Sequence, residues 1–150
     1  MRALLLSGLC GLALLGAACG SDTVTGPEMP YAAVTPACGA ADGPAVAIYL
    51  AHAPITSLDP SPPYVRIYIE QPINQLAGQS WTVGGAAADA AAWRTTDEPA
   101  VEAAQGGTVR VDAVRDSQVV EGFVDLTFPE GGRVQQAFRA TWLAETVLCA

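Results

Sequence analysis

Apolar side chains recur at every second position through most of the chain from residue 45 onward, and that period decides what the chain can become. Val46, Ile48 and Leu50 alternate with Ala47 and Tyr49, and Val65, Ile67 and Ile69 alternate with Tyr64, Arg66, Tyr68 and Glu70. Val109, Val111 and Ala113 alternate with Arg110 and Asp112; Val120, Val124, Leu126 and Phe128 alternate with Glu121, Phe123, Asp125 and Thr127. In the run 134–143, Val134, Phe138, Ala140 and Trp142 share one face, and Arg133, Gln135, Arg139 and Thr141 share the other. Side chains of a strand point alternately to opposite faces, so each run predicts a strand with one side buried and one side wet. Turn formers punctuate the runs: Asp59-Pro-Ser-Pro-Pro, Gln105-Gly-Gly, Arg115-Asp-Ser and Pro129-Glu-Gly-Gly. The expected fold class is all-β, an antiparallel β-sandwich of immunoglobulin-like architecture over residues 38–150, with a small closed β-barrel as the alternative.

The segment 84–104 lacks this clarity. Ala86 to Ala92 is interrupted only by Asp89, which suits either two turns of helix or an Ala-rich edge strand or loop. Trp93 is expected to pack one end of it onto a sheet, and Trp81, Trp93 and Trp142 are assigned to the core.

With 150 residues the chain has room for one domain. A hydrophobic fraction of 51% excludes disorder of the whole chain. Its seven basic residues are all arginine, they are scattered, and the formal net charge is −8. Nucleic acids demand a clustered basic face, so a nucleic-acid partner is excluded.

Met1 and Arg2 give the N-terminus a positive end, Ala3 to Leu15 is an apolar run, and small residues Gly16, Ala17 and Ala18 precede Cys19. The run is short for a membrane span and suits a secretory signal peptide. Leu14-Leu15-Gly16-Ala17-Ala18-Cys19-Gly20 resembles the lipobox of bacterial lipoproteins. The resemblance implies cleavage after Ala18 and lipidation of Cys19, with a thioether-linked diacylglycerol and an amide-linked acyl chain such as palmitate. It divides the chain into a signal peptide 1–18, a lipidated Cys19 with a flexible tether 19–37 rich in Pro and Gly, and the β-domain 38–150. Gly20, where Asp would mark inner-membrane retention in one bacterial group, favours the outer membrane or cell surface.

Of the four cysteines, Cys10 leaves with the signal peptide and Cys19 carries lipid, so Cys38 and Cys149 remain as a pair. An even remainder in an exported chain implies a disulfide between the two ends of the domain. Closing a loop of about 110 residues removes unfolded-state entropy worth roughly 4–5 kcal/mol.

Catalytic constellations are weak by comparison. His52 is a candidate general base beside Asp59 or Glu70, and is read as a strand-end surface histidine. Ser80 departs from the Gly-x-Ser-x-Gly elbow because Thr82 replaces the second Gly. No Cys-x-x-Cys occurs and His52 is the single histidine, so no metal and no cofactor are expected. Asp112, Asp116, Glu121 and Asp125 could serve glycoside hydrolysis, and are read instead as a solvated face in which Arg110, Arg133 and Arg139 form cross-strand ion pairs. Tyr64, Arg66, Tyr68 and Phe123 take the polar side of their strands and form the expected binding surface, suited to a glycan or an envelope protein. The functional expectation is a non-enzymatic, lipid-anchored protein of the cell envelope whose β-domain binds or supports a partner. A carrier of small hydrophobic ligands and a carbohydrate-active enzyme are the alternatives.

Overall fold

The computed structural model describes residues 28–86, 88–97 and 100–143. Nine strands form: β1 (Tyr31–Cys38), β2 (Pro44–Ala51), β3 (Tyr64–Ile69), β4 (Gln79–Val83), β5 (Ala90–Thr95), β6 (Val101–Ala103), β7 (Gly106–Arg115), β8 (Val119–Thr127) and β9 (Arg133–Trp142). Helical geometry among the described residues is confined to the 3-10 turns Ala40–Asp42, Ile73–Gln75 and Pro129–Gly131.

The strands run in the order β3-β2-β1-β9-β8-β7-β4-β5, and pairing of β3 with β5 closes the ring, with β6 added to β5. The fold is therefore a closed eight-stranded barrel with one extra strand, and the expected sandwich is corrected. Two antiparallel runs that could have been separate sheets meet along short parallel seams. One seam joins β1 to β9 at Ala33–Thr141 and Val34–Trp142, and the other joins β4 to β5 at Val83–Ala90. Closure satisfies backbone groups that an open sheet would leave at its edges.

Eight strands enclose a space that side chains can fill. Val34, Ile48, Leu50, Val65, Ile67, Ile69, Val109, Val111, Val120, Val124 and Leu126 are all fully buried in one core with Trp81, Phe128 and Phe138. Leu76, from the β3–β4 connection, closes one end of this core. Met29 closes the other: its N–H donates to Gln136 Oε1 at 2.9 Å, and its carbonyl accepts from Gln136 Nε2 at 2.8 Å.

Three local expectations change. Residues 31–37, assigned to the tether, form β1, which pairs along its whole length with β2. Pro36 is tolerated there because Val34, two residues earlier, directs its carbonyl to Leu143 on the β9 side. Pro36 faces that same side beyond the last pair with β9, so its missing N–H breaks no ladder bond. Of the readings open for the Ala-rich segment, strand holds at its C-terminal part, where Ala90–Ala92 begin β5, which pairs with β3 from Ala90 to Thr95. That continuous ladder overrides the small intrinsic helix preference of alanine. In β7 the register shifts between Val111 and Ala113, a bulge at Asp112. Val114, not Ala113, consequently packs against the core after Val111.

Candidate functional site

The outer surface of the barrel divides into two chemically different flanks. On β7, β8 and β9 it is built from ion pairs, as the alternation predicts. Arg110 Nε lies 2.7 Å from Asp112 Oδ1, and Arg115 Nη2 lies 2.8 Å from Glu121 Oε2, whose other oxygen is taken by Arg139. Arg133 grips Asp125 with two bonds of 2.8 and 2.7 Å. Hydrogen bonding from Arg115, with Arg139 beside it, holds the Glu121 carboxyl below its usual range, and Arg133 does the same to Asp125. Phe123 belongs to this flank, directly opposite Arg110, whose guanidinium lies 5.9 Å from the ring centroid.

A pH dependence follows. Both carboxyls have a lower pKa folded than unfolded, so their contribution is complete above the ordinary carboxylate pKa and is lost as pH falls through the folded values. The melting temperature, followed by circular dichroism, is expected to hold from about pH 7 to about 5 and to fall below about pH 4. The fall should be shallower in Arg133→Gln; identical profiles for the two proteins would show that the Asp125 pair does not contribute.

The flank made by β1, β2, β3, β5 and β6 carries small and aromatic residues in lateral rows fixed by strand register. Tyr31, Ala51, Tyr64, Thr95 and Val101 form the first row, and Ala33, Tyr49, Arg66, Trp93 and Ala103 the second. Thr35, Ala47, Tyr68 and Ala91 form the third. Over β1 and β2 this exterior is itself buried, with Ala33, Thr35, Ala47, Tyr49 and Ala51 all at 5% exposure or less. Leu58, from the connection 52–63, lies alongside Ala47 and Tyr49.

Over β3, β5 and β6 the flank is open. A depression of about 510 Å³ is lined by Cys38, Tyr64, Arg66, Tyr68, Trp93, Thr95 and Val101. A depression of about 390 Å³ that shares Tyr68 branches from it sideways over β2 and β1, and one of about 360 Å³ continues it along β3 past Tyr68, so that the first and the last form a groove following β3. Glu70 and Asp89 stand in the last of these. Val101, 67% exposed, and Tyr31, 42% exposed, are the exposed large apolar side chains among the described residues, and both lie in the first row.

Tyr68 anchors the floor by donating its hydroxyl to the Cys38 carbonyl. Burial, reinforced by Glu70 and opposed by Arg66, pushes its phenol up, so it remains a donor at neutral pH. The Tyr49 and Tyr64 rings are 6.1 Å apart and tilted by 50°, and the Arg66 guanidinium lies 6.0 Å from the Tyr49 centroid. Arg94, Arg110, Arg115, Arg133 and Arg139 each pair with a carboxylate. Arg66 is the one arginine among the described residues that does not.

Tyr64, Arg66 and Tyr68 thus converge as the alternation implies, while Phe123 is on the other flank. Trp93 corrects its assignment to the core: it faces outward, opposite Arg66, and lines the groove. The signal for it was its place one residue out of phase with Ala90 and Ala92, which are buried.

His52 lies at the barrel end closed by Met29, in a depression of about 520 Å³ shared with Arg94, Asp97 and Glu102. Glu70 is at the far end of β3 from it. Arg94 is fixed there by Glu102, to which Nε donates at 3.0 Å, and by the Phe128 ring, 4.9 Å away. Ser80 is exposed on β4, opposite Arg110. Among the described residues no group of three or more His, Cys, Asp or Glu converges on a point, and no helix is long and apolar enough to cross a membrane. Cys19 and Cys149 lie outside the described residues. No family model, no curated protein and no solved structure matches the chain.

Proposed function

We propose that the chain is a lipid-anchored protein of the bacterial envelope, on the outer membrane or cell surface, whose barrel is a non-catalytic binding module with the groove along β3 as its site. The observation that carries the binding reading is Arg66, set among aromatic rings and the one described arginine that has no carboxylate partner among the described residues. The anchor rests on the run ending Leu15-Gly16-Ala17-Ala18-Cys19. Because Met29 already belongs to the barrel core, the tether from Cys19 reduces to residues 20–28, which reach at most about 33 Å. The proposed Cys38–Cys149 bridge is supported by the even remainder of cysteines once Cys10 and Cys19 are set aside.

Two alternatives find less support. A general acid for glycoside hydrolysis needs a carboxyl held above its usual range, and Glu121 and Asp125 are held below it. A carrier of hydrophobic ligands needs interior room, and the interior positions are occupied by close-packed Trp81, Leu126, Phe128 and Phe138.

The full-length protein, expressed in a bacterium and recovered from the membrane fraction, tests the anchor by intact mass without reduction. A chain starting at Cys19 with acyl mass added and two hydrogens missing is expected; an unacylated chain rules out the anchor. A photocrosslinking side chain at position 95 tests the groove, with position 141 on the opposite flank as control. Capture of an envelope component from position 95 and not from 141 is expected, and equal or absent capture rules out the groove.

A further inference from the structure

Resting on the groove being a binding site, we propose that its ligand is an acidic polysaccharide, with a uronate carboxylate on Arg66 and sugar rings stacked on Trp93 and Tyr64. Charge complementarity selects the anion. Every other described arginine is neutralised by a carboxylate partner, whereas Arg66 has an aromatic ring beside it and no carboxylate partner among the described residues. A guanidinium offers a planar fork that fits a carboxylate with two hydrogen bonds.

The floor of the groove selects a sugar over a peptide. An extended peptide gains most of its affinity by adding to a free strand edge. Here β3 is hydrogen-bonded to β2 on one side and to β5 on the other, so its backbone is spent. Recognition on this floor must come from side chains, and its centre offers flat rings and one cation, with Thr95 and Val101 on one side and Glu70 and Asp89 at the end. Trp93 stands directly across the β3–β5 ladder from Arg66, and Tyr64 lies across from Thr95, placing both rings in the same depression as the charge. The apolar faces of pyranose rings suit such surfaces.

The groove also selects a chain over a single sugar, because it runs along β3 from Tyr64 past Tyr68 to Glu70. In one direction it meets Glu70 and Asp89. These repel a second acid there, so the preferred polymer alternates acidic with neutral sugars.

The test titrates full-length protein in detergent, by calorimetry, with galacturonate oligomers and with alternating glucuronate and N-acetylglucosamine oligomers. Each is paired with its carboxyl-reduced neutral counterpart. The alternating acid is expected to bind best, at least tenfold tighter than its reduced form. Arg66→Gln should erase that difference, Trp93→Ala should weaken both forms at least tenfold, and Arg139→Gln on the opposite flank should change neither. Unaltered melting temperatures would show that the variants are folded, since all three positions lie on the exterior. Absence of saturable binding across the panel, or an acid preference that survives Arg66→Gln, overturns the proposal. If position 95 still captures an envelope component while no uronide binds, the acidic polysaccharide falls and the groove stands; if both are silent, both fall.

Discussion

Phe128→Ala is expected to lower stability by about 3–5 kcal/mol, enough to unfold a domain of ordinary stability at mildly raised temperature. Phe128 is fully buried, immediately after β8, where the barrel interior meets its Met29 end. Removing the ring leaves a cavity in a core that cannot collapse, because the surrounding strands are locked into a ring. It also takes away the face on which Arg94 rests, 4.9 Å from the centroid. Phe128→Leu should recover most of the loss, since it restores volume without the aromatic face. Chemical denaturation of the three proteins measures both steps. A loss under about 1 kcal/mol for the alanine variant would mean that this end of the barrel is not part of the cooperative core.

The second large effect is at Gly122, in the middle of β8 and facing inward. A Cβ there would collide with the Arg110 carbonyl oxygen on β7 and come within 2.9 Å of Phe138 Cζ on β9. Gly122 and Phe138 are directly paired across the β8–β9 ladder, so the ring covers the glycine and fills the space a side chain would have taken. An obstruction made of backbone cannot be relieved by a rotamer change. Gly122→Val is therefore expected to force β7 and β8 apart and cost about 3 kcal/mol or more, read as a melting temperature lower by about 10 °C or more. Gly122→Ala combined with Phe138→Leu should recover part of it, because the aromatic half of the clash is removed. If Gly122→Val melts like the parent, the close β7–β8 approach at this point is wrong.

Strands β2, β3, β8 and β9 were legible because large apolar residues alternate with polar ones, and the side of each residue follows from that alone. The same rule misplaced Ala113, since a one-residue bulge at Asp112 shifts the phase without changing the composition around it. β5 was illegible for the opposite reason: with alanine on both faces, alternation carries no contrast. Only the pairing of Trp93 with Arg66, two strands from distant parts of the chain, decides that the indole is outside. β1 was hidden by its one proline, Pro36, whose missing N–H matters only if a neighbour is waiting for it. Barrel closure was the least legible property, because it depends on three pairings among strands far apart in sequence, and no local pattern encodes them. For the groove, the residues on β3 were readable from their phase, while the partner wall required the β3–β5 register.

The seam between β1 and β9 has a consequence for the order of events in the chain's life. Met29, at the threshold of β1, is held by Gln136, 107 residues later. The barrel therefore cannot close before β9 has been synthesised, because β1 has its parallel neighbour only then. Contacts of such separation make folding slow compared with proteins built from local pairs. A nascent chain with this topology stays open at the β1–β9 seam until β9 has emerged, which suits the export proposed for it.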